Sequence, residues 1–223
     1  MRRSSNGGHA CSRRAPNSVL PWLKASVARA VRAQCAAGHR ERAVADVEEE
    51  AVADDVAASN TVLWQPAYVA LGSNLGDSRA AVERAIAALS ALPDTRCCRR
   101  SAFYRTRPFG PVEQGDFINA VVGLVTRLSV EDFFAALQRL EGELGRGPRR
   151  ERWGPREIDL DLLVFGREQR SGESLRLPHP GIPERDFVLY PLRDVAADLH
   201  IPGLGRVRDL ADRVADRGMQ RLA

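Results

Sequence analysis

Asp159 and Asp161 stand two residues apart in segment 157–165, where Ile158, Leu160, Leu162 and Val164 alternate with Asp159, Asp161, Leu163 and Phe165. A period of two signals a strand and sets both carboxylates on one face, roughly 6–7 Å apart. Two carboxylates so placed can share hard cations. Magnesium takes only one or two of them and completes its shell with water and substrate phosphates. Just upstream, Arg146, Arg149, Arg150, Arg152 and Arg156 crowd around Trp153, and guanidinium groups suit phosphate oxygens. Metal ligands, phosphate clamps and an aromatic plate in one short stretch point to phosphoryl transfer. A D-x-D pattern alone also describes a solvated sheet face or a structural ion pair. Here, however, apolar Leu163 and Phe165 share the face, and like charges there are costly unless metal or arginine compensates them.

The elements that must hold these groups can be read on either side. From Pro66 the texture is that of a compact domain, opening with a short buried strand over 67–71 (AYVAL) and the turn-rich GSNLGD. Gly72 to Gly76 in that run reads first as a tight strand-to-helix turn, and second as backbone left bare for a ligand. Asp77 or Ser78 caps a helix whose Ala81, Val82, Ala85, Ile86 and Leu89 recur at helical spacing, and Pro93 ends it. One strand is expected over about 96–105, then a loop, TRPFGPVEQGD, long enough to be a lid or binding loop. FINAVVGLV (117–125) is a third strand. Ser129 with Asp132 opens a second helix in the manner of a capping box, and its apolar positions run to Gly145. The arginine-rich loop and the aspartate strand follow. This order, β-α-β-β-α-β, defines an α+β class of ferredoxin-like type. Beyond Gly166 the expected extension is a small hairpin, the segment LPHPGIPERDFVLYPL and a last helix near 207–216.

The 223 residues leave room for one ordinary domain plus an appendage, and the hydrophobic share of 44% is globular. A formal charge of +4, carried almost wholly by arginine, suits a polyanionic small molecule and is too modest to imply nucleic acid. Cys11, Cys35, Cys97 and Cys98 form no C-x-x-C pair, which argues for reduced thiols and against a zinc site. No apolar run approaches the roughly 20 residues needed to cross a bilayer. Residues 1–65 are arginine- and alanine-rich, then acidic. They read as a disordered or weakly helical extension before a catalytic domain at 66–223, with an organellar transit peptide as the alternative. No Walker A loop, dinucleotide fingerprint or kinase signature occurs, so phosphate contacts fall to side chains. His179, between Pro178 and Pro180, is held rigidly, and Arg185 and Phe187 beside it offer a cation and an aromatic plate.

The blocks AYVALGSNLGD, FYRTRPFGPVEQGDFINAVV, RLEGELGR, RWGPREIDLDLLVFG and LPHPGIPERDFVLYPL, in this order, resemble the 6-hydroxymethyl-7,8-dihydropterin pyrophosphokinase family. The resemblance spans about residues 66–203. It implies transfer of pyrophosphate from ATP to the pterin's hydroxymethyl oxygen, releasing AMP, within folate biosynthesis. It further implies two magnesium ions on Asp159 and Asp161, with Arg146 and Arg156 assisting transfer. Phe117 and Phe187 would sandwich the pterin, Asn119 would bond its edge, and Thr106, Phe109 and Trp153 would line the pocket. Gln138, Glu141, Arg156, His179 and Arg185 would contact ATP. Three positions depart from the family pattern: Phe117 replaces a frequent tyrosine, Arg107 a proline, and Gly181-Ile182-Pro183 a more basic run. The expected protein is a cytoplasmic monomer acting on small molecules, without nucleic acid or membrane. A magnesium-dependent nucleotidyltransferase, or a non-enzymatic RNA-binding module on the same fold, are the alternatives.

Overall fold

The structure, a computed structural model, describes residues 63–145 and 154–222. The expectations for residues 1–62, and those for Arg146 and Trp153, therefore lie outside the described residues. Chain order begins with β1 (Gln65–Ser73), α1 (Ser78–Ser90), β2 (Thr95–Arg100), β3 (Phe103–Thr106) and β4 (Phe117–Thr126), followed by α2 (Val130–Glu143) and β5 (Asp159–Phe165). The sheet runs β5-β1-β4-β3, every pairing is antiparallel, and β2 lies along the other half of β4. This is the ferredoxin-like arrangement that the element order predicts. The caps also fall where the sequence puts them. The Asp77 carboxylate accepts from the Ala80 amide at 3.0 Å, and the Ser129 hydroxyl accepts from the Asp132 amide at 3.0 Å. Each satisfies an amide that the first helical turn leaves without a partner.

The strand expected over about 96–105 is cut in two. Its register against β4 gains one residue at Cys98 and another between Arg100 and Tyr104. At the break the Ser101 hydroxyl accepts from the Val121 amide at 3.0 Å, taking the place of a ladder carbonyl. A second correction concerns β5. Val69 pairs with Leu162 while Tyr68 pairs with Val164, so Leu163 is the extra residue of a bulge. Alternation therefore reverses beyond it. Asp159, Asp161 and Leu163 share one face with Val164, whereas Phe165 turns to the other and meets Phe133, ring centroids 5.8 Å apart.

Both faces of the sheet are covered. On one, α1 and α2 bury Val82, Ala85, Leu89, Phe133, Leu137 and Leu140 against Val69, Leu71, Val122, Leu160 and Phe165. The other face is covered by a helix the sequence reading leaves out, α3 (Asp186–Ala196). Its Val188, Leu189, Leu192 and Val195 pack with Val121, Leu163 and Val164. Gly123 of β4 admits this helix closely: a Cβ there would lie 2.9 Å from Val195 Cγ1. Pro191 sits inside α3, so the i+4 amide that the Phe187 carbonyl would ordinarily accept from is missing.

The remaining elements are short. The expected hairpin is present as β6 (Arg170–Ser171) and β7 (Arg176–Leu177). A second hairpin, β8 (His200–Ile201) with β9 (Gly205–Arg206), precedes α4 (Val207–Ala211), which is shorter than the expected last helix. Finally β10 (Gln220–Leu222) adds an edge strand beside β3.

Phe133 is fully buried between α2 and the sheet. Phe133→Ala is expected to cost about 3–5 kcal/mol of unfolding free energy in a urea titration. A loss below about 1 kcal/mol would contradict this account of the core.

Candidate active site

Where α3 stops short of the sheet's end, the uncovered strands form the floor of a cleft of about 320 Å³. Gly72 of β1, Phe117 and Asn119 of β4, Thr106 of β3 and the two aspartates of β5 line it. These residues share the floor because they stand opposite one another in register: Gly72 pairs with both Asn119 and Asp159, and Ala70 pairs with Asp161. One wall is the start of α3 with Arg185, Phe187 and His179. The other is made by Arg107, Phe109 and Gln114 of the loop, with Gly154 and Arg156.

The floor is shaped by a glycine. A Cβ on Gly72 would lie 2.8 Å from Asn119 Oδ1. The amide of Asn119 is itself buried and donates to the Thr106 hydroxyl at 2.7 Å, so it has little room to yield. Gly72 lies within β1, and the turn belongs to Gly76, whose φ of 61° is left-handed. Of the two readings of the GSNLG run, the turn applies to Gly76, while at Gly72 the missing Cβ makes room for the Asn119 side chain.

Each aspartate has its own arginine. Arg156 Nη1 pairs closely with Asp159 Oδ2, and Arg185 Nη1 stands 3.8 Å from Asp161 Oδ2. These pairs offset the repulsion between the two carboxylates. Asp161 is still pushed up from the usual carboxylate range, chiefly by withdrawal from water and then by the Asp159 charge. His179, Arg185 and Arg156 pull the other way. His179 is fixed twice over. Its amide donates to the Leu163 carbonyl at the bulge, 2.8 Å away, and its Nδ1 accepts from the Gly181 amide at 3.0 Å. An accepting Nδ1 leaves the proton on Nε2. Burial lowers the imidazole's pKa, which favours this neutral tautomer.

Two further groups act behind the floor. Asn74 is prominent in the sequence only as part of a turn. Its Oδ1 accepts from the Arg156 amide at 2.8 Å and its own amide donates to the Arg156 carbonyl at 3.1 Å. Its Nδ2 also donates to Gln114 Oε1 at 2.9 Å. It thus ties the end of β1 to both parts of one wall, Gln114 and Arg156, and an asparagine directly after a buried strand was the only local sign. Glu141, expected to contact nucleotide, does not line the cleft. It is buried on α2, and its Oε1 accepts from the Leu160 amide at 2.7 Å, fixing the backbone between the two aspartates. Gln138, on an exposed turn of α2, does not line the cleft either. The other described residues singled out from the sequence do meet there: Thr106, Phe109, Phe117, Asn119, Arg156, Asp159, Asp161, His179, Arg185 and Phe187.

Two carboxylates, two arginines and a neutral imidazole beside aromatic rings are groups of the kind that phosphoryl transfer involving a flat co-substrate requires. A family model described as 7,8-dihydro-6-hydroxymethylpterin-pyrophosphokinase matches residues 68–197. The 2-amino-4-hydroxy-6-hydroxymethyldihydropteridine pyrophosphokinase of Haemophilus influenzae is 40% identical over 156 residues, covering 70% of this chain and 97% of that protein. Its counterpart in Pseudomonas aeruginosa is 42% identical over 158 residues, covering 71% and 97%. Among solved structures, wild-type Plasmodium falciparum HPPK-DHPS with SDX-DHP superposes with a TM-score of 0.55 at 14% identity. The match covers 70% of this chain and 45% of that one, so the chain spans under half of it. At that identity the likeness concerns the fold alone. The chain belongs to the 7,8-dihydro-6-hydroxymethylpterin-pyrophosphokinase family. It is accordingly an enzyme of folate biosynthesis that transfers pyrophosphate to a dihydropterin.

A raised carboxyl pKa in the fold has a sign. The protonated form is favoured in the native state, so this group's contribution to stability is present at low pH and lost as pH rises through the folded value. Above the ordinary carboxylate range, keeping Asp161 in the fold of the ligand-free protein costs stability, through its charge or through the proton it takes up. Asp161→Asn should therefore melt higher than the parent at pH 7, with the gap shrinking as pH falls towards 4. A melting temperature at pH 7 equal to or below the parent's would contradict this.

Proposed function

We propose that the cleft carries out this reaction with ATP as donor, its floor holding the pterin and its β5 end holding the triphosphate. The observation that carries the reading is that Asp159, Asp161, Phe117 and Phe187 line one cavity. Phe117 and Phe187 take the pterin between their faces, while Asn119, oriented by Thr106, hydrogen-bonds its edge. Phe117 loses nothing needed for stacking by lacking a hydroxyl, since the ring face does that work. Phe109 closes the slot from the loop, and Trp153 is assigned to the same pocket by its place in the RWGPR block. His179, with its proton on Nε2, donates to a phosphate oxygen, and Arg185 and Arg156 meet the phosphates with fixed charge.

The donor set fits magnesium. Among the described residues no three His, Cys, Asp or Glu side chains gather into a self-sufficient metal site, and two carboxylates with room for substrate oxygens are what magnesium accepts. We assign two ions to Asp159 and Asp161. When bound, they would neutralise charge on the phosphates and help orient them. In this reading the arginine partners of the aspartates turn to the nucleotide once cations take their place. The pterin's hydroxymethyl oxygen attacks the β-phosphorus, the bond to the α-bridging oxygen breaks, and AMP departs. Positioning and charge neutralisation supply nearly all of such catalysis, so no strong base is required. Glu141 serves here by holding Leu160, and hence the separation of the two carboxylates. Gln138 and Arg146 are left to the nucleotide on the strength of the family resemblance alone.

Incubation with ATP, magnesium and 6-hydroxymethyl-7,8-dihydropterin should yield AMP and the pterin diphosphate. ADP as main product would refute the reading, and free pyrophosphate would favour a nucleotidyltransferase. Asp159→Asn should lower kcat by about two orders of magnitude or more, on the scale of losing an electrostatic catalytic group. Turnover within about threefold of the parent would remove Asp159 from the metal role.

A further inference from the structure

The carboxyl-terminal segment, residues 216–222, touches the cleft from behind through a residue that no motif contains. Arg217 places its guanidinium carbon 4.5 Å from the centroid of the Phe109 ring. That distance falls well within the reach of a cation–π contact. The Phe109 ring in turn lies 5.9 Å from that of Phe187, tilted by 59°. The segment that carries Arg217 is fixed at both ends. At one, the Arg217 amide donates to Asp186 Oδ2 at 2.9 Å, while Asp186 Oδ1 accepts from the Phe187 amide at 2.9 Å. Asp186 is buried, with 2% exposure, at the start of α3, so its carboxylate is held for this double duty. At the other end β10 pairs with β3, Gln220 opposite Arg105 and Leu222 opposite Phe103. Between the two ends, Asp216 Oδ1 accepts from the Gly218 amide at 2.8 Å, and Gly218 takes a left-handed φ of 80° to make the turn.

This arrangement brings two independent supports to one loop. β3 leads directly into residues 107–116, so β10 braces the root of the loop. Arg217 braces its aromatic tip. Asp186 couples that brace to the residue next to it, Phe187, which forms the opposite side of the slot. We infer that Arg217, anchored by Asp186, is a positioning residue for the pterin: it holds Phe109 against Phe187 so that the slot is formed before substrate arrives. Preforming a binding surface raises affinity by sparing the cost of ordering it on binding. The effect is confined to the pterin side, because Arg217 has no place on the β5 end where the nucleotide is assigned. The inference rests on the assignment of the pterin to the Phe109–Phe187 region.

The test compares Arg217→Ala and Arg217→Lys with the parent. An exposed to partly buried cation–π contact corresponds to about a three- to tenfold change in an equilibrium constant. Arg217→Ala should therefore raise the pterin KM by about three- to tenfold, with kcat and the ATP KM held within about twofold. Arg217→Lys, which keeps a cation, should recover most of the loss. In the ligand-free protein, hydrogen exchange of residues 107–116 should quicken in Arg217→Ala while α1 and α2 keep the parent's protection. Unchanged exchange in the loop, or a pterin KM that falls, would overturn the inference; a fall would mean that Phe109 plugs the slot. A rise in both KM values by the same factor would also overturn it. Faster loop exchange with an unchanged pterin KM would uphold the brace and count instead against Phe109 as a pterin-lining residue.

Discussion

Two like charges on adjacent same-face positions of one strand are the constraint around which this molecule is built. Left to themselves, Asp159 and Asp161 would repel one another and oppose folding. The fold answers locally with one arginine for each carboxylate, Arg156 and Arg185. It answers structurally by pinning the strand between them, where the buried Glu141 takes the Leu160 amide. Withdrawal from water, and then the Asp159 charge, still push the Asp161 carboxyl up. On the proposed assignment, cations bound here would offset that repulsion, and the relief would add to their affinity. On that assignment, stability of the resting protein and readiness for its ligands are opposed at Asp161.

The bulge at Leu163 gives the same strand two jobs. Before the bulge β5 faces the cleft with carboxylates; beyond it Phe165 turns to the helices and Val164 to α3. The carbonyl at the bulge accepts from the amide of His179. The imidazole is thereby placed from the strand that carries the aspartates, although it lies on a different loop. A similar economy holds at Asn74, whose side chain joins Gln114 and Arg156 in one wall of the cleft, and at Asp186, which ties Phe187 to the carboxyl-terminal segment. The aspartates thus stand on a strand, while the groups on connections, His179 and Arg156, are each held by a hydrogen bond to a neighbouring segment.

What the sequence made legible follows from periodicity. The strands and the two long helices each bury one face, so alternation or helical spacing marked them, and Asp77 and Ser129 marked the helix starts. In the cleft, strand alternation marked Asp159 and Asp161 as sharing a face, whereas Thr106, Phe109, Phe117 and Asn119 were reached through the family resemblance. The bulge was not legible, since residues 162–165 are all apolar and give no contrast between faces. Helix α3 was obscured by Pro178, Pro180, Pro183 and Pro191, although Val188, Leu189, Leu192 and Val195 stand at helical spacing. Glu141 was assigned by resemblance to the nucleotide; its hydrogen bond to the Leu160 amide had no local sign, because only tertiary packing brings α2 against β5. Arg217 carried no local sign at all; only folding brings residues 217 and 109 together.

The central claim is that the aspartate pair holds cations jointly with the nucleotide. Manganese, a spectroscopic substitute for magnesium, can be counted by electron paramagnetic resonance in the presence of a non-hydrolysable ATP analogue. The account predicts two manganese ions per chain in the parent and a loss of that stoichiometry in the doubly substituted Asp159→Asn, Asp161→Asn protein. Two ions retained by the doubly substituted protein would contradict it.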